Sequence, residues 1–254
     1  MRKALATFGS GPAAEALALA LPTFRAYASR HDYEIVIGNG AACGRPASWG
    51  KVGLLRRLLA AYDFVVWLDA DALILDTRTD LESIVPADAF QAFAVTTSTL
   101  QGDTSPCLGV WALRAGDRTH EFLAAVWAQA DLTDHRWWEQ AAAMRLLGWT
   151  IEYPLYKERP SEWDAGTFIL GEEWDMIPMS PAVGYAPGYI RHYGGWAYRR
   201  RLFDMRTDLA RLRGHRLRYW LGVLERRWRP HYWPVSGEIR FRMDQLGAIL
   251  RRSR

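Results

Sequence analysis

Residues 64–71 read Phe-Val-Val-Trp-Leu-Asp-Ala-Asp, an apolar run that halts on two carboxylates two positions apart. A run of this length, rich in β-branched and aromatic types, predicts a strand buried on both faces, as in the middle of a parallel sheet. Side chains alternate along a strand, so Asp69 and Asp71 are expected on one side where the strand leaves the core, both within reach of one cation. The carboxyl edge of an α/β sheet is also where ligands collect. Taken alone, the pair is equally a solvated strand end with a turn-forming aspartate.

The flanking pattern reads as α/β. Ala4 to Phe8 is expected as a first strand, Ala13 to Arg30 as a helix and Tyr33 to Ile37 as a second strand, a βαβ opening. A loop over Gly38 to Ser48 leads to a helix over Lys51 to Tyr62, with Leu54, Leu55, Leu58 and Leu59 at helical spacing. Beyond the carboxylates, strands are predicted at Leu73 to Leu75, Ala92 to Thr96 and Leu108 to Leu113. Helices are predicted at Asp117 to Ala130 and Arg136 to Leu147. From Tyr153 to Tyr193 the chain is rich in Pro, Gly and aromatics, with short strands at best, and long irregular segments of compact domains are usually functional.

A length of 254 residues suffices for one large α/β domain with an appendage. The two cysteines, Cys43 and Cys107, are far apart and lack Cys-x-x-Cys spacing, so neither a disulfide framework nor a zinc knuckle is implied and a reducing compartment is the default. No stretch matches the roughly 20 apolar residues of a membrane span, and Ala13 to Leu21 reads as a first helix, not a signal peptide. A cytoplasmic protein is expected, with peripheral attachment to a membrane as an option. The formal charge of +4 belongs largely to arginines from Arg199 onward, a patch suited to the phosphates of a lipid surface or of nucleic acid. Between Phe203 and Arg227, Leu209, Leu212, Leu217, Trp220, Leu221 and Leu224 alternate with arginines, predicting a basic amphipathic helix or a helical pair broken near Gly214. Such a helix either lies on an anionic membrane or packs its apolar face on the protein and solvates its arginines.

Five segments in order carry a resemblance: Trp49-Gly50-Lys51-Val52, Leu68-Asp69-Ala70-Asp71-Ala72-Leu73-Ile74, Leu108-Gly109-Val110-Trp111-Ala112-Leu113-Arg114, Trp137-Trp138-Glu139-Gln140-Ala141-Ala142, and Ile190-Arg191-His192-Tyr193-Gly194-Gly195. No one of them is specific, but the ordered set resembles the galactosyl/mannosyl/xylosyltransferase family of retaining, metal-dependent glycosyltransferases, over roughly residues 1 to 196. The resemblance implies a GT-A fold: a single Rossmann-like domain with a mixed central sheet at 1–198, followed by a basic helical extension at 199–254.

The same resemblance implies that Asp69 and Asp71 bind a divalent metal with His192 as third ligand, and two carboxylates with one imidazole suit Mn²⁺ or Mg²⁺. It implies that Lys51 adds positive charge beside the leaving diphosphate, and that Glu139 and Gln140 line the face of the donor sugar opposite the leaving group. Gly194 and Gly195 would let the backbone approach a phosphate, and Thr7 and Phe8, at the end of the first strand, are expected to touch the nucleotide. Each has a plainer reading: Lys51 on a helix surface, Glu139 complementing a helix dipole, Gln140 bonded to backbone. Where the family has Asn-Thr-Gly or Asn-Ser-Gly, this chain has Cys107-Leu108-Gly109, so Cys107 is a departure that leaves the donor sugar open. Of 13 tryptophans, Trp49, Trp163, Trp174 and above all Trp196 are candidates for stacking on a saccharide.

The expected activity is transfer of a sugar from a UDP- or GDP-linked donor to a hydroxyl of a glycan or glycolipid. The arginines admit two alternatives: transfer to hydroxylated bases in DNA, or a non-catalytic membrane- or nucleic-acid-binding protein on a degenerate GT-A fold. Absence of Gly-x-Gly-x-x-Gly and Gly-x-Ser-x-Gly disfavours a dehydrogenase or an α/β-hydrolase.

Overall fold

The computed structural model describes residues 1–40, 44–97, 103–177, 188–195 and 198–225, so the expectations for Cys43, Trp196 and the chain after Glu225 lie outside the described residues. The strands are β1 (Lys3–Thr7), β2 (Tyr33–Ile37), β3 (Phe64–Leu68), β4 (Ala72–Ile74), β5 (Gln91–Thr97), β6 (Thr104–Arg114), β7 (Thr167–Leu170) and β8 (Ile190–His192). The helices are α1 (Ala13–His31), α2 (Gly50–Leu58), α3 (Leu81–Ile84), α4 (Asp117–Ala128), α5 (Trp138–Leu146) and α6 (Tyr198–Leu212). Two compact units divide the chain, Met1–Met205 and Arg206–Arg254.

In the first unit a six-stranded sheet runs in the order β2-β1-β3-β6-β5-β7. β1 is parallel to β2 and β3, β6 is antiparallel to β3 and β5, and β7 is parallel to β5. The expected mixed central sheet is borne out. All five residues of β3 are buried, as an unbroken apolar run in a central strand requires. In α1, Ala16, Leu17, Ala20, Phe24, Tyr27 and Ala28 return to one face at helical spacing and are buried.

β3 does not run on through the carboxylates. Asp69 N–H donates to Gly109 O at 2.8 Å, extending the β3–β6 ladder, and Ala72 N–H then closes a turn on Asp69 O at 3.0 Å. The alternation expected to align Asp69 and Asp71 is therefore replaced by a turn, because β4 leaves the large sheet to pair antiparallel with β8. That ribbon registers Ala72 with His192, Leu73 with Arg191 and Ile74 with Ile190. A buried hydroxyl fastens it: Thr23 of α1 accepts from Ile74 N–H at 3.2 Å and donates to Ala20 O at 2.7 Å, filling a backbone donor that burial would otherwise leave unpaired.

The segment expected to be irregular holds only β7, β8 and 3₁₀ turns at Glu162–Asp164 and Glu172–Trp174 among its described residues. In the second unit the turn after α6 is a Schellman motif: Gly214 N–H donates to Arg211 O at 3.0 Å and His215 N–H to Ala210 O at 2.8 Å. Gly214 takes φ +73°, where a Cβ is disfavoured. Residues 216–225 are again helical, so the tail is a helical pair broken at Gly214. No helix among the described residues is long and apolar enough to cross a membrane.

The core beneath the sheet centres on Phe122, fully buried, with the rings of Trp163, Phe90 and Trp111 at centroid distances of 5.1, 5.7 and 6.2 Å. Phe122→Ala is expected to cost about 3–5 kcal/mol in equilibrium urea denaturation. A cost near zero would show that this aromatic packing is not what holds α4 to the sheet.

Candidate active site

Asp69 divides its two oxygens between two sets of partners. Oδ1 accepts the indole N–H of Trp67 at 2.6 Å and lies 3.2 Å from Lys51 Nζ, while Oδ2 lies 3.6 Å from His192 Nε2. Lys51 comes from α2, is 4% exposed, and also meets Glu139 Oε1 at 2.9 Å and Leu108 O at 3.1 Å. Burial opposes the ammonium charge, but Asp69 and Glu139 outweigh it and hold the lysine above its ordinary range. The helix-surface reading of Lys51 is thus excluded. Glu139 is likewise a buried ion-pair partner and not a solvent-facing helix acid. Its Oε2 is buried with no hydrogen-bond partner.

His192 stands between two carboxylate groups. Its Nε2 faces Asp69 and also Asp71 Oδ1, at 3.5 Å, while its Nδ1 lies 3.0 Å from Asp175 Oδ1. Asp175 is fully buried and its other oxygen accepts Val110 N–H at 3.0 Å. The ribbon explains the placement. Met176, next to Asp175, bridges β8 on the edge opposite β4, with Met176 N–H on Ile190 O at 3.0 Å and His192 N–H on Met176 O at 2.9 Å. Two glycines make room for the ring: a Cβ on Gly109 would come within 2.3 Å of His192 Nδ1, and one on Gly194 within 2.8 Å of Nε2. Gly195 serves the turn instead, with φ +72° and open space where its Cβ would be.

Two charged groups of this site were not legible beforehand. Asp175 lies in an acidic stretch, Glu172 to Asp175, with nothing to set it apart. Arg201 is one of three successive arginines assigned by sequence to the basic extension, yet its Nη1 lies 3.1 Å from Asp71 Oδ2. Burial works against the charge of Asp71, and His192 and Arg201 more than offset it, holding its carboxyl down at about 2. Burial also opposes a charged His192, but Asp175 beside Nδ1 and Asp71 beside Nε2 carry the ring well above its ordinary value.

Gln140, half-buried on α5, accepts Leu108 N–H through Oε1 at 3.2 Å, so Leu108 joins it to Lys51. Trp138, just before Glu139, has the left-handed φ of +47° that bulky residues rarely adopt. Thr7 is fully buried, its hydroxyl without a partner, and bonds to none of the charged residues. Phe8 touches the site through Trp67, edge-on at 5.2 Å. Cys107 lies 3.5 Å from His192 Nδ1, and burial, with Asp175 alongside, pushes its thiol up to about 11. Trp49 and Trp174 are core residues, and Trp163 packs on Phe122, so none of the three is a free stacking surface.

Residues 16–105 match the model of the galactosyl transferase GMA12/MNN10 family, a span that contains the Asp-x-Asp turn and Lys51. A solved glycosyltransferase involved in the glycosylation of the major capsid of PBCV-1 is similar over 82% of this chain and 100% of its own, at 11% identity and a TM-score of 0.61. The galactosyltransferase LgtC, in complex with donor and acceptor sugar analogs, is similar over 81% of this chain and 95% of its own, at 12% identity and a TM-score of 0.50. The fold is that of the GT-A glycosyltransferases. The resemblance read from the motifs is shown, and family match and fold together support a glycosyltransferase. No curated protein matches the sequence.

A divalent cation fits this GT-A site. Asp69, Asp71 and His192 each offer one ligand atom, all within 4.8 Å of one another. The oxygens not needed for that are tied to permanent cations, Lys51 and Arg201. In this network Asp69, Asp71, Glu139 and Asp175 face only those two fixed positive charges, so a cation or a protonated His192 must balance the rest. Cys107, Asp175 and His192 form a second cluster within the same reach. It is a poor metal site, because a thiol near 11 keeps its proton and both oxygens of Asp175 are engaged.

With metal ions removed, protonated His192 contributes stability that is fully present below its unfolded value of about 6.5 and is lost as pH rises through the raised folded value. Urea midpoints in EDTA should fall with rising pH in that window for the native chain, and His192→Gln should lack that component. Parallel profiles for the two proteins would refute the charge arrangement drawn here.

Proposed function

We propose that this chain is a retaining glycosyltransferase that moves a sugar from a UDP- or GDP-linked donor to a hydroxyl of a glycan or glycolipid, using Mn²⁺ or Mg²⁺ held by Asp69, Asp71 and His192. The observation that carries the reading is the convergence of Asp69 Oδ2, Asp71 Oδ1 and His192 Nε2 at the carboxyl end of β3, where α/β folds bind ligands.

When bound, the cation supplies positive charge to the diphosphate as it departs. The chain's own residues do the rest. Asp175 accepts the Nδ1 proton of His192 and so leaves Nε2 free as a ligand, the usual arrangement behind a metal-bound imidazole. Lys51 and Arg201 neutralise the outer oxygens of Asp69 and Asp71 and keep fixed positive charge next to the leaving group, where charge developing in the transition state is stabilised without reorganisation. Glu139 anchors Lys51 through Oε1, and its unpartnered Oε2 is an acceptor that a sugar hydroxyl would satisfy. Gln140, held through its oxygen by Leu108, retains its NH₂ donors for the donor sugar. In retention by this route the acceptor hydroxyl attacks the face the diphosphate leaves, with a phosphate oxygen taking the proton. No separate side-chain base is required.

Hydrolysis of a panel of nucleotide sugars, with and without Mn²⁺, tests this. Asp69→Asn, Asp71→Asn and His192→Gln should each lower metal-stimulated turnover by at least about a hundredfold, and NMR of the released sugar should show the donor's anomeric configuration. Full activity in any of the three variants, or an inverted product, would overturn the proposal.

Metal binding should also release protons. Mn²⁺ displaces the proton on His192, so affinity should rise with pH and calorimetric heats should depend on the buffer's ionisation enthalpy. Affinity that does not change between pH 6 and pH 8 would count against His192 as a ligand.

A further inference from the structure

The helix of residues 216–225 wears its apolar stripe on the outside. Successive residues turn by about 100°, so Leu217, Trp220, Leu221 and Leu224, at i, i+3, i+4 and i+7, share one face. These four are 75%, 59%, 58% and 49% exposed. The opposite face is Tyr219, Gly222 and Val223, with Gly222 buried and its neighbours half-buried. Gly222 sits against Thr207 of α6 so closely that a Cβ would fall 2.3 Å from the threonine Cγ2. A helix of a water-soluble protein ordinarily turns its apolar stripe inward. Here the inward position goes to a glycine and the stripe is presented to solvent.

The charges bordering the stripe indicate what covers it. Arg216 and Arg218 fall on its two flanks, one on each side, and both are exposed, as are Arg211, Leu212 and Arg213 at the preceding turn. Arginines flanking a Leu/Trp stripe match a bilayer surface, where the apolar side chains enter the acyl boundary and guanidinium groups reach anionic headgroups. A protein partner's apolar groove would not by itself call for cations on both margins.

We infer that residues 211–224 form an in-plane docking surface for an anionic bilayer, with Leu217, Trp220, Leu221 and Leu224 inserted and Arg211, Arg213, Arg216 and Arg218 at headgroup level. This goes beyond the transferase reading and does not depend on it. The packing alternative open from the sequence, an apolar face turned onto the protein, is removed for these four side chains by their exposure.

Cosedimentation of the full chain with vesicles tests it, using phosphatidylcholine alone and phosphatidylcholine with roughly one third phosphatidylglycerol. Binding should require the anionic lipid and weaken with added salt. A Leu217→Glu/Trp220→Glu/Leu221→Glu variant should lose at least tenfold in binding with its thermal midpoint unchanged. Each of Arg213→Gln, Arg216→Gln and Arg218→Gln should lose about fivefold. Sedimentation velocity covers the competing occupant: a dimer dispersed by the triple variant would assign the stripe to a second copy and overturn the inference. So would native-level vesicle binding by the triple variant, or no binding to anionic vesicles by the native chain. Loss of donor hydrolysis in Asp71→Asn with vesicle binding intact would separate the two proposals.

Discussion

The three rungs between β4 and β8 are the constraint on which the site depends. Asp69 and Asp71 belong to a turn that any strand end could make, and a turn alone would leave them solvated. Pairing Ala72 with His192 brings a residue more than a hundred positions downstream to that turn, and the Met176 bridge on the other edge of β8 brings Asp175. α1 secures the arrangement by spending the Thr23 hydroxyl on the Ile74 amide. A shift of one residue in this ribbon would turn His192 to the face now taken by Arg191, since successive side chains point oppositely.

The electrostatic design follows from crowding acids around one imidazole. A buried carboxylate is tolerated only when paired, and each acid here has a permanent partner on one oxygen: Lys51 and Trp67 on Asp69, Arg201 on Asp71, Lys51 on Glu139, the Val110 amide on Asp175. What remains unbalanced points at His192 Nε2. The site therefore holds a proton or a cation at one place, and the surrounding hydrogen bonds leave little freedom for it to sit elsewhere. The orphan oxygen of Glu139 and the orphan hydroxyl of Thr7 are the two departures from full satisfaction among the expected site residues. Groups buried at a cost and left without a bond are what a ligand-binding site retains for its ligand.

Much of this was legible one-dimensionally. The apolar run of β3, the βαβ opening and the helical spacing in α2 are local patterns, and local patterns dictate elements. Asp69, Asp71, His192, Lys51, Glu139 and Gln140 were legible as a set because the motifs recur in order, and the structure brings all six into one connected network. Asp175 and Arg201 were not, because their roles exist only after the ribbon and the first turn of α6 are in place, and neither has a spacing relative to the others that a sequence pattern could carry. Cys107 shows the limit from the other side. It read as a packing residue and it is buried, yet its sulfur touches the imidazole of the site, a contact set by the β3–β6 register and invisible in the chain.

The tail illustrates why amphipathic spacing alone leaves its target open. The i, i+3, i+4, i+7 pattern of Leu217, Trp220, Leu221 and Leu224 is the same whether the stripe faces a core or a bilayer. What decides is the opposite face, and there Gly222 packs on Thr207 at a separation no larger residue could keep. A glycine at that contact commits the polar, small side of the helix to the hairpin and leaves the leucines and Trp220 to whatever lies outside, with arginines already set along both borders.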